Sequence, residues 1–221
     1  MPAALTAVLT GGCRGPLSTV EPAGPAASVI ASLWWVMLIG SLLILGLVMA
    51  LIALAFTRRS PARRKRQGTR LWIVGLGIVF PGVVLAALLG FGLFAGERLL
   101  PRPEVNTVEV SAEARRFVWS FGYADRPGLT TDDVLHIPAG RAVDVSVTTT
   151  DVVHSFWVPR LAGKIDAIPG HVNVLRLTAD RPGVYAGISA EFSGPGYDDF
   201  TFEVVAHDGE SWDRFLAGDT P

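Results

Sequence analysis

The stretch IPAGRAVDVSVTTTDVVHSFWVP, residues 137–159, decides the fold. Val143, Val145 and Val147 alternate with Asp144, Ser146 and Thr148, the period of a strand with one buried face. Ala139-Gly140 supplies turn chemistry ahead of it, and an aromatic and β-branched run follows. Outwards from this stretch, residues 104–123 (EVNTVEVSAEARRFVWSFGY), 173–188 (NVLRLTADRPGVYAGI) and 200–206 (FTFEVVA) are also rich in Val, Thr and aromatic residues. Pro-Gly, Ala-Gly and Asp-Gly turns punctuate them. Five or more short strands over roughly 100 residues, with no helical period between them, predict a closed or nearly closed β-sandwich. Phe117, Trp119, Phe121 and Tyr123 recur at period two, which places them on one face of a strand as core residues. The tail after Ala206, HDGESWDRFLAGDTP, predicts a short helix around Ser211 to Leu216.

Ahead of this domain the composition changes. Val29 to Phe56 and Leu71 to Ala95 are two uncharged apolar runs, each longer than the ~20 residues that cross ~30 Å of hydrocarbon as a helix. Pro81 lies inside the second run, where a packed membrane helix tolerates it. Gly75, Gly77, Gly82, Gly90 and Gly92 suggest close approach of a neighbouring helix. Between the runs Arg58, Arg59, Arg63, Arg64, Lys65, Arg66 and Arg70 occur with no acidic residue. A short basic loop between two spans is cytoplasmic by the positive-inside rule, and its position argues against nucleic-acid binding. Both chain ends then lie on the outer side. The overall formal charge of −1 conceals an asymmetry: from Pro103 onward 18 acidic residues face 9 basic ones, a net −9.

The chain therefore divides into an N-terminal segment (1–28), a first transmembrane helix (29–56), a basic cytoplasmic loop (57–70), a second transmembrane helix (71–95), an outer domain (96–206) and a tail (207–221). Cys13 is the only cysteine, so no internal disulfide exists. Gly11 and Gly12 before it, after an apolar stretch, resemble a bacterial lipoprotein cleavage site, with Cys13 the lipidated first residue. Thr10 replaces the usual Leu, and no basic residue precedes the apolar stretch. The alternative is a free cysteine in a loose arm. Residues 13–27 (CRGPLSTVEPAGPAA) read as an extended Pro/Gly linker.

Residues 185–200, YAGISAEFSGPGYDDF, resemble the electron-entry (CuA) loop of subunit II of the haem-copper respiratory oxidases, Y-x-G-x-C-x-E-x-C-G-x-G-H-x-x-M. Tyr185, Gly187, Glu191, Gly194 and Gly196 match. Ser189 and Ser193 stand at the two cysteine positions, Tyr197 at the histidine and Phe200 at the methionine. Residues 137–159 resemble the segment ending in D-V-x-H-S-F, with His154 at the first copper histidine. Residues 164–185 (KIDAIPGHVNVLRLTADRPGVY) resemble the segment leading to the copper loop. RRFVWSFGY resembles H-Q-W-x-W-x-x-x-Y, with Phe117 replacing the tryptophan that receives electrons and Trp119 matching the second. The resemblance covers about residues 28 to 206.

The family implies a two-helix transmembrane hairpin followed by a cupredoxin-like Greek-key β-barrel. Copper takes thiolate, imidazole or thioether donors, and serine hydroxyls substitute poorly. The expected state is a CuA site that is lost, with His154, Ser189, Glu191, Ser193, Tyr197 and Phe200 as vestigial positions. His154 is expected to hydrogen-bond Ser189 or Ser193; His136, His171 and His207 are scattered along the sequence and are expected to be structural or surface residues. In copper-bearing relatives the side chain at the Glu191 position reaches a magnesium ion shared with subunit I, so the resemblance implies an intersubunit magnesium site at Glu191, the alternative being a surface carboxylate. No residue of the second run matches the glutamate that many relatives place near a proton channel.

The resemblance thus implies a non-catalytic subunit of a terminal oxidase reducing oxygen to water. It also implies a position in the bacterial inner (cell) membrane, with the β domain on the periplasmic side. Haem and copper are expected in subunit I, with subunit I, subunit III and the bilayer as partners. The serine pair resembles that of bo-type quinol oxidases, which makes quinol the expected reductant. The alternatives are a CuA-less oxidase fed by cytochrome c, and a stand-alone membrane-anchored cupredoxin-like protein.

Overall fold

The computed structural model describes residues 13–57, 67–101, 104 and 106–218. Arg58 to Arg66 of the basic loop and the apolar stretch ahead of Cys13 lie outside the described residues. The chain forms two units, one made of Met1–Ala31 with Leu99–Pro221, the other of Ser32–Arg98.

Helix α1 (Pro25–Thr57) carries the chain into the second unit. Its 33 residues extend about 50 Å at 1.5 Å per residue. From Trp34 to Phe56 its large apolar side chains are exposed on every face, the pattern of a helix meant for apolar surroundings. The second apolar stretch changes winding along its length. An α-helical turn (Gln67–Arg70) leads into a π-wound segment (Leu71–Val79), then α2 (Phe80–Glu97). The Phe80 N–H bonds the Gly75 carbonyl, five residues back. Pro81 follows, with no N–H to give and a ring that crowds the preceding turn, and the wider winding makes room for it. Both segments are long and apolar enough to cross a bilayer. No neighbouring atom lies within 4 Å of where a Cβ would sit on Gly77, Gly82, Gly90 or Gly92. The close helix contact expected at these glycines is therefore not made among the described residues.

The first unit is built on ten strands: β1 (Val108–Arg115), β2 (Val118–Tyr123), β3 (Thr130–Asp132), β4 (Val134–Pro138), β5 (Val143–Thr149), β6 (His154–Trp157), β7 (Ile165–Ala167), β8 (Asn173–Leu177), β9 (Gly183–Ser189) and β10 (Thr201–His207). They form two five-stranded sheets, ordered β3-β2-β1-β5-β8 and β4-β10-β9-β6-β7. β1 with β5 and β4 with β10 pair in parallel; the other ladders are antiparallel. At one border β4 lies against β3, and at the other β7 lies against β8, so the two sheets curl into a nearly closed barrel.

Strict alternation fills the interior. β1 turns in Val108, Val110, Ala112 and Ala114, β5 turns in Val143, Val145 and Val147, and β10 turns in Phe202, Val204 and Ala206. Trp119, Phe121, Phe156, Phe200 and Phe202 form the aromatic centre, with ring centroids 4.7 to 6.4 Å apart among its contacting pairs. Fully burying a side chain of this size stabilises by ~1.5–3 kcal/mol. Trp119, Phe121 and Tyr123 are the buried face of β2, as period two required; Phe117 sits one residue ahead of the strand and is partly buried against the same core. Gly187 has no room for a side chain, because a Cβ there would come within 2.3 Å of the Phe202 ring.

Two further segments complete this unit. Helix α3 (Gly209–Ala217) starts at Asp208, whose carboxylate accepts the Ser211 N–H at 2.8 Å, and buries Trp212 and Phe215. The N-terminal arm is not the free linker its composition suggested. Ala23 donates to the Arg160 carbonyl (2.7 Å) and accepts from the Asp180 N–H (2.9 Å), while the Ala27 N–H reaches the Leu161 carbonyl (3.2 Å). Arg160 Nε also donates to the Glu21 carbonyl at 3.0 Å. The arm thus adds itself to the barrel by main-chain bonds and one bond from the Arg160 side chain.

Candidate functional site

The loop that carries Ser189, Glu191, Ser193, Tyr197 and Phe200 leaves β9 at Ser189 and returns to β10 after Phe200. The Ser189 N–H donates to the Phe200 carbonyl at 2.9 Å and pins its two ends together. Gly194 (φ 116) and Gly196 (φ 92) hold backbone angles that a Cβ disfavours, and the second opens a 3-10 turn at Tyr197–Asp199. β6 lies alongside, with Phe156 opposite Ser189 in the ladder. This pairing brings His154, Ser155 and the loop together from segments more than thirty residues apart.

Four of the predicted positions converge in the interior. His154 is wholly buried, Ser189 and Ser193 nearly so, and Phe200 is 2% exposed. The Phe200 ring lies 5.8 Å from Trp119 in a stack and 5.3 Å edge-on from His154, and its other side meets Phe117 at 5.8 Å. Ser189 Oγ accepts the Ser155 N–H at 3.3 Å. Tyr197 turns away from this group and packs edge-on against Phe192 at 5.2 Å, a residue that is 70% exposed.

His154 does not bond to either serine as expected. Its Nε2 lies 2.9 Å from Asp151 Oδ1, three residues earlier in the chain. The same carboxylate receives the Val152 N–H (2.6 Å), the Thr149 hydroxyl (3.0 Å) and, on its other oxygen, the Arg116 N–H (3.0 Å). Burial opposes the charged carboxylate, but these donors together outweigh it and hold Asp151 well below the usual carboxylate range. Asp151 Oδ1 accepts from the His154 Nε2–H, and Nδ1 is left buried without a protein partner. His154 Nδ1, Ser193 Oγ and Trp119 Nε1 are the buried side-chain polar atoms, among the described residues, that make no hydrogen bond to the protein. All three belong to the loop or to rings that touch Phe200.

As a ligand set for copper this group offers one free imidazole nitrogen and two hydroxyls. Copper takes soft sulfur and imidazole donors, and the aromatic ring of Phe200 stands where a thioether would. These residues do not fit a binuclear copper centre. Among the described residues no group of three or more His, Cys, Asp or Glu side chains converges as a metal site.

Glu191 lies on the outer side of the loop. Its carboxylate accepts from Lys164 Nζ at 3.3 Å and from the Phe192 N–H at 3.2 Å. Lys164 also reaches Asp166 at 3.1 Å, and Asp166 accepts the Ser155 hydroxyl at 2.9 Å. Burial works against the Lys164 charge, yet the two carboxylates draw its ammonium above the ordinary lysine range.

The fold joins His136 and His207: His136 Nδ1 and His207 Nε2 are 2.7 Å apart across the β4–β10 pair. The sequence held a signal for this in His136 and His207 as members of two strands, but the parallel pairing that joins them is a tertiary fact. His171 Nε2 meets Asn173 Oδ1 at 3.1 Å. Cys13 is exposed, its carbonyl accepting the Ser18 hydroxyl.

Comparison with known proteins agrees with this geometry. A family model described as cytochrome c oxidase subunit II, periplasmic domain, matches residues 124–205. Cytochrome c oxidase subunit 2 of Alkalihalophilus pseudofirmus is 35% identical over 97% of this chain and 66% of its own length. Quinol oxidase subunit 2 of Bacillus cereus is 28% identical over 93% of this chain and 74% of its own length. This chain therefore spans just under two thirds of the first of these relatives. The crystal structure of the periplasmic domain of subunit II of cytochrome oxidase of Bradyrhizobium japonicum superposes with a TM-score of 0.50 at 22% identity, covering 53% of this chain and 95% of that one. The fold of the first unit is accordingly cupredoxin-like.

Proposed function

The chain belongs to the subunit II family of haem-copper terminal oxidases, and from this premise we propose that it is a member without CuA in a quinol-oxidising complex. In this reading quinol delivers electrons within the membrane to a haem of subunit I, where oxygen is reduced to water. The chain contributes no catalytic residue. Its two apolar helices pack on subunit I, with subunit III in the same complex, and its β domain covers the outer side. Haem and copper belong to subunit I.

The observation that carries this reading is the place of Phe200. Its ring fills the ground between His154 and Trp119, and the Ser189 hydroxyl is already bonded to Ser155. A loop packed this way is a folded structural element with its own core. Losing the entry tryptophan, Phe117 here, accords with the same change, since an entry point serves no purpose without an acceptor.

Magnesium is the one metal that this chain would help to hold, through Glu191 at the subunit I boundary. A carboxylate suits a hard cation; the Lys164 ammonium, 3.3 Å away, would have to move aside or share that carboxylate. The chain ends and the β domain lie on the periplasmic side of the bacterial cell membrane, and Cys13 is the candidate lipidated residue.

Oxygen consumption by the intact purified complex, compared with quinol and with reduced cytochrome c, tests the proposal. Metal analysis and near-infrared spectra of the same sample report any binuclear copper. Turnover with quinol and no such copper is expected; rapid cytochrome c oxidation with none from quinol reverses the reading.

A second reading, a cytochrome c-fed oxidase that bypasses CuA, is favoured by two observations. The outer part of the chain carries a net −9, which attracts a basic protein, and the 35% identical relative is named a cytochrome c oxidase subunit. The same comparison of reductants separates the two.

A further inference from the structure

The pair formed by His136, in the middle of β4, and His207, at the end of β10, belongs neither to the loop nor to the ion-pair cluster, and its surroundings are unusual. His136 and His207 lie nearly parallel, 5.0 Å between ring centroids, with 2.7 Å between Nδ1 of one and Nε2 of the other. That distance accommodates one shared proton. A second proton would set two N–H groups head to head between two cationic rings. Helix α3 covers the pair. Phe215 stacks on His136 at 4.2 Å and on His207 at 5.7 Å, both within 17° of parallel, and Trp212 meets His207 at 6.2 Å. Tyr123 packs 5.0 Å from Phe215, and its hydroxyl accepts the main-chain N–H of His136.

We propose that His136 and His207 form an acid-operated latch for the C-terminal helix: sharing one proton they hold α3 on the barrel, and taking up a second they release it. The latch does not depend on the oxidase reading.

The charged groups around the pair are few. Asp208, next to His207 and cap of α3, draws the His207 charge up, while burial pushes it down harder. Asp208 is itself held below the usual carboxylate range, chiefly by the Ser211 hydroxyl, so it stays ionised through the window that matters. Nearby are Arg126, whose guanidinium donates to the Phe215 carbonyl at 3.5 Å, and Arg214, which acts on Asp208. Burial raises the Tyr123 phenol, which stays neutral. Burial, and then the His207 charge, push His136 from 6.5 down to about 4. A histidine held low in the docked state favours docking above its ordinary value and loses that contribution as pH falls towards the lowered one. The docked state therefore weakens from pH 6.5 down to about 4.

Hydrogen exchange of the α3 amides tests this in the full chain in detergent, corrected for intrinsic rates. The opening constant of α3 should rise as pH falls from 6.5 to 4, about tenfold for each pH unit by which undocking relieves the burial of His136, while the amides of β1 and β5 change far less. Substituting both rings by the double change His136→Phe and His207→Phe keeps aromatic stacking and removes the titration, and should flatten the dependence. Imidazole NMR of the unsubstituted chain is the companion measurement, with two coupled steps expected below the ordinary histidine range. Protection of α3 that is constant from pH 6.5 to 4, an unchanged dependence in the double variant, or both rings titrating near 6.5 would each overturn the latch.

Discussion

Asp151 and His154 are joined by a 2.9 Å contact between Oδ1 and Nε2, and that contact orients the one imidazole facing the loop. A carboxylate fixing a histidine tautomer is the arrangement by which metal-ligating imidazoles are held. Here it persists beside a loop of hydroxyl and aromatic groups.

Replacing Asp151→Asn removes the charged acceptor of His154 and of the Arg116 and Val152 N–H groups. The unfolding free energy at neutral pH should fall by about 1–3 kcal/mol. The sign of its pH dependence follows from the depressed carboxyl: its stabilisation is present above 3.8 and is lost as pH falls below that value. The gap between the parent and the variant in urea denaturation should therefore narrow below pH 3.8.

Phe200→Ala should destabilise the β domain by ~3–5 kcal/mol, because it opens a cavity between Trp119, Phe117 and His154. Phe200→Met nearly conserves volume and should cost less than ~1.5 kcal/mol. Thermal unfolding of the two variants distinguishes a packing role from a polar or redox one.

The combined change Ser189→Cys, Ser193→Cys, Tyr197→His and Phe200→Met supplies the soft donors around an imidazole that Asp151 already orients. Copper added to this variant should bind and produce thiolate charge-transfer colour. A variant that folds, by circular dichroism, and stays colourless with copper counts against the alignment of the loop.

Gly24→Ala should detach the N-terminal arm. A Cβ at this position falls 2.1 Å from the Thr178 carbonyl oxygen, a backbone atom that cannot swing aside. Limited proteolysis should cut residues 13–27 far faster in this variant, with the barrel intact.

Much of this architecture is legible along the chain. Charge-free runs of this length demand an apolar environment wherever they fold, and Val143, Val145 and Val147 alternate because only one face of β5 is buried. The departure of Ser189, Ser193, Tyr197 and Phe200 from a copper-binding pattern is likewise a matter of residue type, since donor chemistry does not depend on packing. Partners across the fold are a different matter. His154 had two serines within reach by analogy and took Asp151 instead, because the turn before β6 delivers that carboxylate first and saturates it with N–H groups. His136 and His207, 71 residues apart, meet only because β4 and β10 pair in parallel. The arm joined the barrel mostly through main-chain groups, whose partners are not marked in the sequence. Periodicity and donor type are local properties and can be read from order alone; which polar atoms satisfy one another depends on strands brought together from distant parts of the chain, and only the folded barrel decides it.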